Sequence, residues 1–135
     1  MQTAPIGHIQ FNVHGENLPF YRDLLTFLGW GLIGEWPGMI GLGSLDGQSL
    51  WFSGQVKEVS NDYDGPGLNH LAFAAASIAD VDEAVAWLQV RGVPALFETP
   101  RHRPEFSADE QSTYYQVMFE TPDRILIEIV YIGPK

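Results

Sequence analysis

Between residues 7 and 13 apolar and polar positions alternate: Ile9, Phe11 and Val13 fall on one side of an extended strand, His8, Gln10 and Asn12 on the other. The alternation returns at 69–75, with Leu71, Phe73 and Ala75 on one face and His70, Ala72 and Ala74 opposite. Behind each strand the period lengthens to that of a helix. Leu18, Tyr21, Leu24, Leu25 and Leu28 recur at helical spacing after Asn17, a candidate cap. Pro19 suits the first turn, and Gly29 ends the run. In the second copy Val81, Ala84, Val85, Trp87 and Leu88 follow Ser77 or Asp80 as cap, and Gly92 is the stop.

Each glycine is followed by three strand-like runs bounded by turn residues. The first set spans 30–36, 39–45 and 49–53, divided by Pro37-Gly38 and Asp46-Gly47. The second spans 94–99, 113–120 and 124–131, divided by a polar loop at 100–112 and the turn Thr121-Pro122-Asp123. From histidine to closing glycine is 21 residues in the first copy (8 to 29) and 22 in the second (70 to 92). The order strand, helix, three strands therefore occurs twice, which is an internal repeat. The pattern predicts an α+β fold of two βαβββ modules within one domain, 1–135. Module one covers 5–56, a polar linker 57–67, and module two 68–132.

Composition narrows the chemistry. The 135 residues include no cysteine, which removes thiolate nucleophiles, thiolate metal sites and disulfides. Seven Lys plus Arg stand against 17 Asp plus Glu, a formal net charge of −10. So acidic a chain lacks the basic footprint for nucleic acid and would be repelled by anionic membranes. No apolar run approaches the roughly 20 residues of a membrane-spanning helix. The start, MQTAPIGHIQF, has no basic stretch leading into an apolar one, so no secretory leader is expected. A soluble cytoplasmic protein is the expectation.

Chemistry concentrates where the repeat places polar groups on strands. Glu128 lies inside the apolar run Ile-Leu-Ile-Glu-Ile-Val-Tyr, and a carboxylate buried there needs a positive partner or a metal, or else its pKa rises. Two strand histidines, His8 and His70, plus one strand carboxylate match a two-His-one-carboxylate set, which leaves positions on a divalent ion open. The separations, 62 and 58 residues, are too long for a local motif, so their force comes from the repeat.

With these residues in view the chain resembles the vicinal oxygen chelate superfamily, which includes glyoxalases, extradiol dioxygenases, fosfomycin-modifying thiol transferases and bleomycin-binding resistance proteins. The resemblance rests on Gly-His-Ile-Gln-Phe-Asn-Val at 7–13, Phe-Tyr-Arg-Asp-Leu-Leu at 20–25 and Leu-Gly-Trp at 28–30. In module two it rests on Asn-His-Leu-Ala-Phe at 69–73 and on residues 114–128, an aromatic strand, a Pro-Asp turn and a strand ending on glutamate. It implies two βαβββ modules forming a curled mixed sheet around a metal cleft. It also implies one divalent ion on His8, His70 and Glu128, Fe(II) or Mn(II) before Zn(II), Ni(II) or Co(II). A fourth ligand position of glyoxalase I–like members falls on Trp51, which cannot bind metal, so the three-ligand members fit better. The implied chemistry is chelation of adjacent substrate oxygens, with ring-cleaving dioxygenation first and thiol transfer or metal-free drug binding as alternatives. A small, partly aromatic substrate and a homodimer are further expectations of the resemblance.

The family's acid–base tyrosine would stand about ten residues before the glutamate, where this chain has Met118; Tyr114 lies four residues earlier on the same face. Glu128 and Tyr114 are therefore the candidate catalytic residues. Trp51, Gln10, Asn12, Gln116 and Met118 are candidate substrate contacts, with core packing as the competing role for Met118. Arg101 and Arg103 flank His102 in the long loop, either as a solvated segment or as a lid supplying cations. His14 and His102 are expected to be ordinary hydrogen-bonded histidines.

Overall fold

The computed structural model describes residues 1–135 as two compact units, Met1–Ser60 and Asn61–Lys135. The first opens with β1 (His8–Asn12), passes through a 3-10 turn at Gly15–Asn17 and enters α1 (Leu18–Phe27). Three strands follow: β2 (Gly31–Trp36), β3 (Met39–Gly43) and β4 (Ser49–Ser53). The second unit repeats the series as β5 (Leu71–Ala74), α2 (Ile78–Val90), β6 (Leu96–His102), β7 (Ser112–Glu120) and β8 (Leu126–Pro134). Strand order is β1-β4-β3-β2 in one sheet and β5-β8-β7-β6 in the other, so the repeat read from the sequence is a repeat of topology. Each sheet is mixed and open: β1 pairs β4, and β5 pairs β8, in parallel, and the remaining pairs are antiparallel. No helix is long and apolar enough to cross a membrane.

In the first unit the apolar parity of β1, β3 and β4 is buried with α1. Phe11, Ile40, Leu42, Leu50 and Phe52 are buried together with Tyr21, Leu24 and Leu25 of the helix, and Phe52 stacks on both Phe11 (5.1 Å) and Tyr21 (4.6 Å). In the second unit Val117, Phe119, Ile127 and Ile129 are buried with Val81, Ala84 and Leu88 of α2. The other parity carries His8, Gln10, Asn12, Gln116 and Glu128, interleaved with apolar Trp51, Met118, Leu126 and Val130.

The glycine stops hold: Gly29 and Gly92 adopt φ of +90° and +69°, left-handed conformations that cost glycine nothing. Ser77 caps α2, accepting from the Asp80 amide at 3.1 Å. The other cap differs from expectation. Asn17 makes no side-chain cap bond, because the preceding 3-10 turn has already brought it into helical backbone geometry.

The longest expected loop is shorter than the sequence suggests. Strand β6 continues past Pro100 to His102, and Arg101 and His102 pair with Gln116 and Tyr115 of β7. The ladder breaks between Leu96 and Arg101, where Phe97 and Glu98 sit at φ of +57° and +61°. The Thr99 hydroxyl bridges the gap, donating to the Leu96 carbonyl (2.6 Å) and accepting from the Met118 amide (3.0 Å). That side-chain bridge gives one carbonyl and one amide beside the break in the ladder their partners.

Candidate functional site

The register of the second sheet sets one group of side chains on a common face. Ala72 pairs with Glu128 and Glu128 with Met118, so Glu128 sits in the row between β5 and β7. His70 precedes β5 by one residue and has the parity of Ala72, which turns its ring to the same face. Gln116 and Tyr114 lie two and four residues before Met118 and share that face too.

Their side chains close around the carboxylate. Glu128 is 1% exposed. Its Oε1 accepts from the Tyr114 hydroxyl and from Gln116 Nε2, both at 2.6 Å. Its Oε2 lies 2.9 Å from His70 Nε2. Gln116, itself buried, accepts at Oε1 from Arg103 Nε at 2.8 Å, which fixes which way round its amide sits. Burial first, and then the bond to the Glu128 carboxylate, push the Tyr114 hydroxyl up to about 12. Tyr114 is therefore a phenol at neutral pH, held as a donor, and the Phe106 ring packs against it edge-on at 5.3 Å. On the imidazole's other side, His70 Nδ1 and Asn69 Oδ1 are 2.7 Å apart, and Asn69 Nδ2 donates to the Tyr63 carbonyl at 3.1 Å. Tyr63 comes from the expected linker; it is buried against Met118 and Leu126, and its hydroxyl bonds Glu120.

The first unit arranges its own candidates along one face. His8, Gln10 and Asn12 pair in register with Ser49, Trp51 and Ser53. Gln10 Nε2 reaches Asn12 Oδ1 at 3.5 Å, and Trp51 Nε1 donates to the Ser49 hydroxyl at 3.0 Å. Trp51 stacks on Trp36 with centroids 6.1 Å apart, and both rings lie over glycines: a Cβ at Gly41 would stand 2.4 Å from the Trp51 ring, one at Gly34 2.2 Å from that of Trp36.

The structure thus brings together His70, Tyr114, Gln116 and Glu128, with Met118 opposite and Arg103 linked through Gln116. His8, Gln10, Asn12 and Trp51 form a separate row in the other unit. Arg101 is engaged with Glu98 at 3.2 Å rather than with the carboxylate. His14 lies 3.3 Å from Glu58, and His102 Nδ1 lies 2.6 Å from the Thr113 hydroxyl. Within neither unit by itself are three His, Asp or Glu side chains gathered. Sequence reasoning missed Asn69 and Tyr63; the Asn-His pair at 69–70 was visible, but its link to the Tyr63 backbone was not. A shallow cavity of about 230 Å³ between Gly92–Pro94, Leu96 and Glu120–Pro122 includes none of the candidates.

Comparison with known proteins gives a consistent picture. The model of the Glyoxalase/Bleomycin resistance protein/Dioxygenase superfamily matches residues 6–129. A candidate glyoxalase from Bacillus halodurans is similar at 31% identity over 93% of this chain and 94% of that one, with a TM-score of 0.76. A glyoxalase/dioxygenase from Nostoc punctiforme, 21% identical over 97% of this chain and 92% of its own, has a TM-score of 0.72 and shows the shared fold. Among curated proteins, YqjT of Bacillus subtilis (strain 168) is 41% identical over 64 residues, a stretch that spans 47% of this chain and 46% of that protein.

Proposed function

The chain belongs to the Glyoxalase/Bleomycin resistance protein/Dioxygenase superfamily, and we propose that within it the protein is a divalent-metal enzyme acting on a small substrate with adjacent oxygen atoms. Ring-cleaving dioxygenation is the reaction we favour. The observation that carries the metal reading is Glu128, a carboxylate 1% exposed whose two donors on Oε1 are both neutral. The one neighbour that can supply a countercharge directly is His70 at Oε2, by carrying a second proton or by sharing a metal ion with the carboxylate, and a buried carboxylate without a countercharge is costly.

The donor chemistry fits a metal ion. His70 Nε2 and Glu128 Oε2 lie 2.9 Å apart, and an imidazole nitrogen beside a carboxylate oxygen is a donor set that would hold a divalent ion. The family resemblance assigns His8 to the same proposed ligand set. A bound divalent ion would supply Lewis-acid stabilisation of negative charge on the substrate oxygens, or redox chemistry if it is Fe(II).

The surrounding residues have separable tasks. Tyr114 and Gln116 hold Oε1, which leaves Oε2 toward the imidazole. Tyr114 keeps its proton, so it orients the carboxylate as a donor and does not serve as a resting base. Its hydroxyl reaches Glu128 from a position four residues before Met118, which supports a tyrosine taking part in this site and favours the dioxygenase-like reading over thiol transfer. Trp51, Gln10 and Asn12 are proposed substrate contacts.

The test is metal content of the protein purified without chelator, beside His8→Ala, His70→Ala and Glu128→Gln. About one equivalent is expected in the wild type, lost in the variants, and oxygen uptake with catechols is expected for the Fe(II) form. A 2.9 Å N···O distance also suits a proton between the two atoms. Protein that takes up no Fe(II), Mn(II) or Zn(II) would overturn the enzyme reading and leave metal-free binding of an aromatic ligand.

A further inference from the structure

We propose that Asn69 is a positioning residue that dictates which nitrogen of His70 carries the ring hydrogen, so that Nε2 faces Glu128 as a bare donor. The inference takes its purpose from the metal reading above, but its geometry stands without it.

The Asn69 amide is oriented by its other end. Nδ2 donates at 3.1 Å to the Tyr63 carbonyl, an atom that only accepts. That leaves Oδ1 as the atom facing His70 Nδ1, at 2.7 Å. An amide oxygen also only accepts, so the bond forms only when Nδ1 carries the hydrogen. In a neutral imidazole Nε2 is then bare, and Nε2 is the atom 2.9 Å from Glu128 Oε2. In that neutral form two lone pairs would face each other across the gap, an arrangement relieved by a second ring proton or by a metal cation between them.

The opposite tautomer would satisfy Glu128 directly and close Nε2 to a metal. Its cost is at the other nitrogen, where a bare Nδ1 would meet Asn69 Oδ1. Tyr63 makes the arrangement firm. Its ring is buried on Met118 and Leu126, and its hydroxyl is tied to Glu120, so the carbonyl that sets the amide is not free to turn. The line from Tyr63 through Asn69 and His70 to Glu128 is therefore directional: each group's role is set by the one before it.

The experiment is a set of long-range proton–nitrogen NMR spectra of metal-free protein, recorded at alkaline pH on the neutral imidazole. Wild type, Asn69→Asp and Asn69→Ala are compared. The wild type and Asn69→Asp, which keeps an acceptor, should carry the hydrogen on Nδ1; Asn69→Ala should populate the Nε2–H form. Zn(II) titration should then show affinity about 10–100-fold weaker in Asn69→Ala, with Asn69→Asp at or above wild type. A wild-type ring with its hydrogen on Nε2, or an alanine variant that keeps the Nδ1–H form, overturns the proposal. Should Asn69→Ala not fold, the wild-type and Asn69→Asp spectra decide alone. Should the wild type bind no metal, the enzyme reading fails while the spectra still decide the role of Asn69.

Discussion

Tyr114 donates its phenolic hydrogen to Glu128 at 2.6 Å, across neighbouring strands and from fourteen residues away along the chain. The hydroxyl of Tyr114 is pushed up to about 12, that of Tyr115 equally high through burial and its bond to Asp82, and that of Tyr63 is raised by its bond to Glu120, so these three should resist ionisation. Phenolate absorbance should show a late-titrating group, and Tyr114→Phe should remove one tyrosine from it. The sign follows from linkage. A folded value above the unfolded one, about 10, stabilises the native state fully below that value. The contribution is lost as pH rises through about 12.

Replacing Glu128 separates charge from shape. Glu128→Gln retains an oxygen for Tyr114 and Gln116, and its amide can donate to a bare His70 Nε2. It should therefore stay within about 1 kcal/mol of wild type in urea unfolding while losing metal. Glu128→Ala strands two inward-facing donors, one of them on buried Gln116, and should cost about 3 kcal/mol. Equal losses in both variants would contradict this account of the cage.

Gly41 is a matter of space. A methyl group there would stand 2.4 Å from the Trp51 ring, so the indole must leave its stack on Trp36. Gly41→Ala should lower stability by about 1–3 kcal/mol and change tryptophan fluorescence. Gly7→Ala, with nothing within 4 Å of the added carbon, is the control and should do neither.

The two helix starts make a paired test. Ser77→Ala removes the bond to the Asp80 amide and should cost about 1 kcal/mol. Asn17→Ala removes no cap bond, and the expected loss is under about 0.5 kcal/mol.

The repeat, the helix stops and the parity of His8, Gln116 and Glu128 were legible because strand and helix periods write themselves into single residues. The course of β6 was not. Phe97 and Glu98 take left-handed backbone conformations without being glycine, so no residue preference announces the bulge, and the chain beyond Pro100 reads as loop. The partners of Glu128 were legible only as a face. That Gln116 is held between Arg103 and Glu128, or that a backbone carbonyl of the linker orients Asn69, follows from contacts between segments far apart in sequence, which periodicity does not encode. Asn17 fits the composition of a cap but loses the role to a turn set up by the residues before it.

Strand β2 ends its sheet with Leu32, Ile33 and Trp36 each about half exposed, a composition that invites other chains to add on and build aggregates. The ladder to β3 shifts between Leu32 and Gly34, and Glu35 beside Ile33 and Trp36 is held by Arg22 at 3.1 Å. An incoming strand would meet a kinked backbone and a fixed charge within three residues. The irregularity that spoils the ladder on one side thus disfavours strand addition on the other, and straightening it by deleting Ile33 should lower solubility before it lowers stability.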